Sequence, residues 1–594
     1  MNIAALLTDQ AQIRPHQPAI IDFSQHKRRV LTFVELEQAA AHSAGLFQQA
    51  GLQVGDVVLI FQPMSAELYI ALAGIFRLGL VAMFIDPGQG LRHIAQCCAI
   101  QSPKAVLASQ KALHLLALFP AVRRIPFKFS VRQYSAQVES QPFCLKDKAR
   151  FLSAPKLARL GGRTRSTLPQ TGSHPQCFSA QASDPALLTF TSGSTGQPKA
   201  ALRSHGFLWC QHQAIAECLA LSPGSVSLAT MPIVLLSNLA QGITSVIPGG
   251  DLRSPGKIDP APLVAWMQAE NVASTVASPA LLQRLADYCQ AQQYSLPSLQ
   301  KIFTGGAPVF PKTLQRLQQV APQAEVVTIY GSTEAEPMAK IALNQVQTAD
   351  VQAMLAGGGL LVGMPVPTIH LAILPDSWGK PLAPMSQSEF ECLQCPRGVV
   401  GEIVVSGAHV LSGYLHGKGD AESKFRVDGS SWHRTGDAGY LDGQGRLWLM
   451  GRCSARLQDE RGVVYPFAVE CALSQLPALQ RSAFLSHDAR RVLVVEVADA
   501  SASWCGGLKR TRFPFKKSLP SMTTPTCRDL PSRNWVSRNC EQLKARVDWA
   551  GVDEIRVFKH IPLDVRHNAK VDYPALHKQL AGWRRFFGEV GWGA

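Results

Sequence analysis

Apolar positions recur along this chain in two alternating periods. From Leu31 to Ala50 they follow a helical spacing, and Thr32 with Glu35 supplies a capping box at the start. Val57 to Phe61 is a short unbroken apolar run, the mark of a strand buried on both faces. Ala66 to Leu78 reads as a second helix, Gly79 breaks it, and Leu80 to Ile85 reads as a buried strand closed by Asp86-Pro87. Strands that alternate with helices predict a parallel α/β sheet.

The pattern continues with strands that end in glycine-rich turns. Ala186 to Phe190 predicts a strand running into a loop within Thr189 to Lys199. Ile302 to Thr304 ends in Gly305-Gly306-Ala307-Pro308, and Val326 to Ile329 ends in Tyr330-Gly331-Ser332-Thr333-Glu334. Gly401 to Val405, with Gly407 and Gly413-Tyr414, predicts a β-rich subdomain leading to His433-Arg434-Thr435-Gly436-Asp437. Ile555 to Phe558 predicts a late strand, and a final helix follows Lys570.

Two stretches break the rhythm. Between Lys111 and Ser183 the periodicity weakens, and the Gly-, Ser-, Thr- and Pro-containing part from Ala158 to Ser179 reads as a long surface loop or insertion. Residues 501 to 546 carry ten lysines and arginines against Asp529 and Glu541. That segment reads as a solvated basic linker or insert rather than a nucleic-acid or membrane contact, with a locally scrambled reading frame as a further alternative.

Composition adds bounds. A chain of 594 residues is too long for one core and predicts two to four domains or lobes. With 46% hydrophobic and 17% charged residues it is a globular enzyme-like sequence, not a disordered one. The net charge of +16 suits polyanionic ligands such as ATP, but much of it lies in the basic insert, and no nucleic-acid partner is expected. The first fifteen residues lack a basic region followed by a long apolar one, and the Leu68 to Ile85 stretch divides into helix and strand, so the expectation is a cytoplasmic protein without a transmembrane segment. Of 14 cysteines, only Cys392 and Cys395 have metal-like spacing, and without a second pair zinc is not expected.

The chemistry concentrates in Thr189-Phe190-Thr191-Ser192-Gly193-Ser194-Thr195-Gly196-Gln197-Pro198-Lys199. Glycines turn backbone N–H groups towards an anion, hydroxyls add donors and Lys199 adds charge. The lysine is not preceded by glycine, so this is not the commoner G-x-x-x-x-G-K-[ST] loop. The stretch resembles the phosphate-loop motif of the adenylate-forming superfamily of acyl-CoA synthetases, luciferases and peptide synthetase adenylation domains. Tyr330 to Glu334, Arg434 to Asp437 and Pro562 to Tyr573 resemble its later motifs. Details such as Ser278 to Leu282, Gly305 to Val309 and Val565-Arg566-His567-Asn568-Ala569-Lys570 look closest to olefin β-lactone synthetases and long-chain acyl-AMP ligases.

The resemblance implies a large N-terminal domain (1–451) of αβ-layered subdomains plus a β-rich subdomain. A small mobile α+β C-terminal domain (452–594) would carry the catalytic lysine. Ser454 stands where the family often has Asp or Lys at the hinge, and Arg456 to Gly462 departs from the usual form of the next motif, which ends at Glu470. The implied reaction is ATP- and Mg²⁺-dependent activation of a carboxylic acid as acyl-AMP. Thr191, Ser192, Gly193, Ser194, Thr195, Gly196 and Lys199 would hold the β- and γ-phosphates, Thr333 the α-phosphate, and Glu334 with Thr191 the metal. Gly305, Gly306, Ala307, Tyr330, Gly331 and Ser332 would surround adenine, Asp437 and Arg452 the ribose, and Lys570 would meet the bridging and carboxylate oxygens.

The substrate end is apolar: Met231 to Leu236 offers only hydrocarbon, followed by Ser237-Asn238. A desolvated ammonium without an acidic partner is unfavourable there, which argues against an α-amino acid. The acceptor of the acyl group stays open between CoA, a carrier-protein arm and the substrate's own hydroxyl. An inactive nucleotide-binding module is the remaining alternative. His205 reads as a capping or surface residue.

Overall fold

The computed structural model describes residues 2–116, 118–131, 176–192, 197–476, 479–497, 539, 541–543, 545–563 and 571–583. Predicted residues Gly193, Ser194, Thr195, Gly196 and Lys570, most of the 158–179 loop and the bulk of the basic insert lie outside them.

The early rhythm folds as expected. Phe33–Gln49 is a helix whose N-cap Thr32 accepts from Glu35 N while the Glu35 carboxylate reaches back, closing the capping box. Val57–Phe61 and Val81–Phe84 pair in parallel, joined by the buried helix Ala66–Arg77. They belong to a sheet of six described strands ordered Phe127–Val131, Ala105–Ser109, Val57–Phe61, Val81–Phe84, Pro185–Ser192, Pro198–Ser204. Thus the weak pattern after Lys111 still contains the helices Gln110–Leu116 and Pro120–Arg123 and the edge strand Phe127–Val131. No described helix is long and apolar enough to cross a membrane.

A second sheet has fourteen described strands and two characters. Five neighbouring pairings are parallel, from Pro18–Asp22 through Thr244–Ile247, Val226–Ala229, Ser274–Ala277 and Lys301–Gly305 to Glu325–Ser332. At Glu325–Ser332 the chain turns back as Ala335–Ala342, and every later pairing is antiparallel. The β-rich part is therefore continuous with the α/β sheet. The seam is narrow: Ala339 pairs with Pro365 and Lys340 with Met364. A buried apolar cluster nevertheless spans it, packing Met338, Ala339 and Ile341 with Leu360, Leu361 and Val362.

The C-terminal part has a three-stranded sheet, Leu479–His487, Arg490–Val497 and Glu554–Phe558, of which the late apolar run at Ile555 to Phe558 marks the last strand only. The helix Pro466–Leu473 joins two cores: Phe467 and Cys471 pack with the β-rich part, Val469, Ala472 and Leu473 with the C-terminal sheet. Mixed α/β architecture with a large N-terminal and a smaller C-terminal part is what the fold shows.

Candidate active site

The phosphate motif is a β-hairpin rather than a strand followed by a free loop. Pro185–Ser192 and Pro198–Ser204 pair antiparallel, with Thr191 opposite Lys199 and Ser192 opposite Pro198. Thr191 and Ser192 are strand residues, as are Pro198 and Lys199 opposite them. Lys199 Nζ reaches Glu422 Oε2 at 2.8 Å and lies 5.6 Å from the centre of the Tyr414 ring. Lys418 Nζ donates to Gln197 Oε1 at 2.8 Å, so the same outer segment holds the start of the second hairpin strand at two points.

The second motif is also tighter than expected. Tyr330, Gly331 and Ser332 continue the strand Glu325–Ser332, Ser332 pairs with Ala335, and Thr333-Glu334 form the turn between them. Arg203, buried at the end of the phosphate hairpin, donates to Thr189 Oγ1 (3.0 Å) and to the Thr333 carbonyl (2.7 Å). One guanidinium thereby ties the two motifs together. Gly305, Gly306 and Ala307 stand at the end of Lys301–Gly305 beside this turn. A Cβ on Gly305 would fall 2.4 Å from the Ile329 carbonyl oxygen, so only glycine permits this approach.

Glu334 is held in place by Tyr414, whose hydroxyl donates to Glu334 Oε1 at 2.6 Å. Thr191 and Ser423 hydroxyls flank that tyrosine hydroxyl. Burial works against the Glu334 charge, but His433, the Tyr414 hydrogen bond and Lys424 hold its carboxyl below the usual range. His433 is itself pushed down to about 3 by burial, so near neutral pH the cations that act on Glu334 are Lys424, Arg203 and Arg452. Lys424 is buried, donates to the Leu411 carbonyl, and is pushed down to about 8 by desolvation. Among the described residues no cluster of three or more His, Cys, Asp or Glu could cage a metal. An ionised, oriented Glu334 suits a hard cation that takes its remaining oxygens from phosphates and water.

The ribose motif is built from a buried ion pair. Arg434 Nη2 lies 2.6 Å from Glu402 Oε2, both side chains 1% exposed or less, and Arg434 Nη1 donates to the Lys380 carbonyl. Thr435 Oγ1 donates to the Ile403 carbonyl and accepts from Asp437 N. Gly436 has φ +68°, and a Cβ there would meet the Trp378 ring at 2.9 Å. These contacts aim Asp437, which pairs across the strands with Arg452 (Nε to Oδ1, 3.1 Å). Tyr330 donates its hydroxyl to Asp437 Oδ2 at 2.7 Å. The tyrosine expected to offer a ring to adenine therefore also links the two halves of the sheet.

Next to Gly305 lies an apolar cavity lined by Ile215, Leu219, Met231, Val234, Val276 and Ile329 among others. Its free volume is about 30 Å³, the room of roughly one water. The expected apolar wall from Met231 is present, but Ser237 bonds His212 and Asn238 bonds Ser245 instead of entering the cavity. The expectation of a wall without an acid is corrected by Glu336, which lines it from Ala335–Ala342. His205 is corrected too: it is fully buried, accepts from Ile3 N, and desolvation pushes it down to about 4.

With this geometry in hand, comparison with known proteins is decisive. A family model described as AMP-binding enzyme matches residues 7–415. The chain belongs to the AMP-binding enzyme family.

Relatives of this AMP-binding enzyme include olefin beta-lactone synthetases from Stenotrophomonas maltophilia (29% identical, 98% of each chain) and Xanthomonas campestris pv. campestris (30% identical, 98% of this chain and 97% of the relative). A 2-succinylbenzoate–CoA ligase from Enterococcus faecalis is 24% identical over 80% of this chain and 84% of its own. Among solved structures, amide bond synthetase McbA from Marinactinospora thermotolerans superposes with a TM-score of 0.71 at 18% identity, covering 97% of this chain and 99% of that one. ATP-bound MatB from Rhodopseudomonas palustris gives 0.69 at 18% identity, covering 98% and 99%. The adenylate-forming ligase family inferred from the motifs is thus the one to which the chain belongs.

Within the AMP-binding fold, the structure brings together Thr191, Lys199, Thr333, Glu334, Tyr330 and Asp437 from three separated segments. Sequence reasoning missed Arg203, Tyr414, Lys424, Thr304 and Glu336 as site residues. Arg203 had one visible signal, a second charge beside Lys199 in the otherwise mostly apolar strand Pro198–Ser204. Beyond the site, Tyr573 from the last helix donates to Glu470 at 2.5 Å, tying Tyr573–Trp583 to Pro466–Leu473.

Proposed function

We propose that this enzyme activates an apolar carboxylic acid with ATP and Mg²⁺ as acyl-AMP, and that a hydroxyl on the acid then closes a β-lactone. The observation that carries the reading is the apolar cavity beside Gly305 and Ile329, directly against the nucleotide motifs. Similarity over nearly the whole chain to two olefin beta-lactone synthetases supports the second step.

In the first step a substrate carboxylate oxygen attacks the α-phosphorus of ATP, and the bond to the leaving pyrophosphate breaks. Positioning and charge neutralisation suffice for such a transfer. Thr191 and Lys199, with Ser192 to Gly196, hold the β- and γ-phosphates; Thr333 holds the α-phosphate. Gly305 to Ala307 and Tyr330 to Ser332 enclose adenine, and Asp437 with Arg452 takes the ribose diol. Glu334 with Thr191 would hold Mg²⁺, which when bound neutralises phosphate charge. Lys570, on a C-terminal part that moves about a hinge after Arg452, meets the bridging and carboxylate oxygens. In the second step the substrate hydroxyl oxygen attacks the acyl carbon, its proton passes to solvent, and AMP leaves.

The test is product identification by mass spectrometry with ATP, Mg²⁺ and 3-hydroxy acids of varied chain length, with and without CoA. A β-lactone formed without CoA is expected. A thioester that requires CoA would sink the lactone step, and acid-dependent pyrophosphate release that survives Lys570→Ala would sink the assigned lysine.

A further inference from the structure

The cavity beside Gly305 is hydrocarbon over most of its wall, yet two polar side chains line it without a hydrogen-bond partner among the described residues. Thr304 is 1% exposed, and its Oγ1 is buried and unpaired. Glu336 is half-buried on the same wall, and no described group hydrogen-bonds its carboxyl. A buried polar group left unpaired, as Thr304 Oγ1 is, destabilises a fold and is uncommon, so a ligand group that satisfies it and also meets the neighbouring, accessible Glu336 carboxyl is the physical expectation.

The chemistry of the pair narrows that group. Thr304 can donate and Glu336 can accept, and a hydroxyl both accepts and donates. A ketone only accepts, which would leave an ionised Glu336 unmatched. An ammonium would face the charge of Arg203, the cation that acts on Glu336. Position narrows it again. Thr304 directly precedes Gly305, and Glu336 follows the Thr333-Glu334 turn by two residues, so both stand at the nucleotide end of the cavity.

The geometry points to a hydroxyl subsite in which Thr304 and Glu336 together take a substrate hydroxyl close to the reacting carboxyl group, selecting hydroxylated over plain apolar acids. This rests on the reading of the cavity as the acyl pocket of an adenylating enzyme. The same grip fixes the hydroxyl before acyl-AMP forms.

The experiment compares wild type, Thr304→Val, Glu336→Leu and Glu336→Gln on a 3-hydroxy acid and the same acid lacking the hydroxyl. It measures kcat/KM for pyrophosphate release and, separately, acid binding by calorimetry; Glu336→Gln keeps the shape if Glu336→Leu fails to fold. Wild type is expected to favour the hydroxy acid by about tenfold or more. Thr304→Val and Glu336→Leu bring that ratio towards one, while Glu336→Gln keeps part of it. An unchanged ratio in the folded variants overturns the subsite, as does a wild type indifferent to the hydroxyl. A Glu336-dependent preference for an amino acid overturns the hydroxyl assignment. If neither acid releases pyrophosphate but calorimetry keeps the Glu336-dependent preference, the adenylation reading falls and the subsite stands.

Discussion

Tyr414 Oη stands 2.6 Å from Glu334 Oε1 while two ammonium groups, Lys199 and Lys424, lie within 5.7 Å of its ring centre. One side chain thus touches the proposed metal-binding carboxylate and the proposed phosphate lysine. Tyr414→Phe deletes the hydrogen bond and keeps the ring. A bond to a charged group contributes roughly 1.5–3 kcal/mol, so a loss of about tenfold or more in kcat/KM for acid-dependent pyrophosphate release is expected, with half-saturation moved to higher Mg²⁺. A Mg²⁺ titration of both proteins checks it; an unchanged Mg²⁺ dependence would leave Tyr414 a packing residue only.

Glu422 competes for Lys199. Their 2.8 Å contact holds a charge that a bound triphosphate would claim, and the Glu422 side chain is 42% exposed. Exposed ion pairs contribute up to about 1 kcal/mol, so Glu422→Gln should lower the KM for ATP by about threefold, and less at high salt. ATP titrations at two ionic strengths decide it. A higher KM would mean that Glu422 aims the lysine rather than restraining it.

Glu470 gives a pH signature. Burial pushes its carboxyl up to about 7 from an ordinary 4.5, with the Tyr573 hydrogen bond pulling the other way. The folded state holds this proton more tightly than the unfolded chain. Its contribution to stability is therefore complete below about 4.5 and lost as pH rises through about 7. Thermal melts of wild type and Glu470→Gln should show the wild-type advantage shrinking from about pH 5 to about pH 8. A difference that does not vary with pH would remove Glu470 from this account.

Val234 lines the apolar cavity from the helix Pro232–Gln241. Val234→Trp overfills it, a change that typically costs about 1–3 kcal/mol. Pyrophosphate release with long acids should fall at least about tenfold more than with short ones. Equal losses across a chain-length series would place the acyl group elsewhere.

Much of this site was legible because its parts are local. Thr32 and Glu35 are three residues apart, and the Thr189–Lys199 and Tyr330–Glu334 motifs each lie within one turn and its flanks. What was illegible depends on partners brought together by sheet order. Tyr414 lies 80 residues from Glu334, and Lys199 lies 223 from Glu422. Nothing in the neighbourhood of Glu336 along the chain says that its strand lines a hydrocarbon cavity. His205 misled for the same reason: a histidine opening a helix reads as exposed, but the N-terminal segment lies over it. The merger of the β-rich part with the α/β sheet was hidden because its ladder has only two residue pairs and the rest of the join comes from partners far apart in sequence, such as Tyr330 and Asp437.

Those two pairs also bear on how the molecule melts. The adenine turn and Tyr330 stand on the parallel side of the seam, Asp437 and Arg452 on the antiparallel side, and Ala339–Pro365 with Lys340–Met364 join the sides. A nucleotide that contacts both would add a non-covalent staple to the two backbone pairs, the Tyr330–Asp437 hydrogen bond and the apolar cluster that already cross this line. Its binding would couple the unfolding of the two halves, so that the empty protein melts over a broad range and the liganded one as a single cooperative unit.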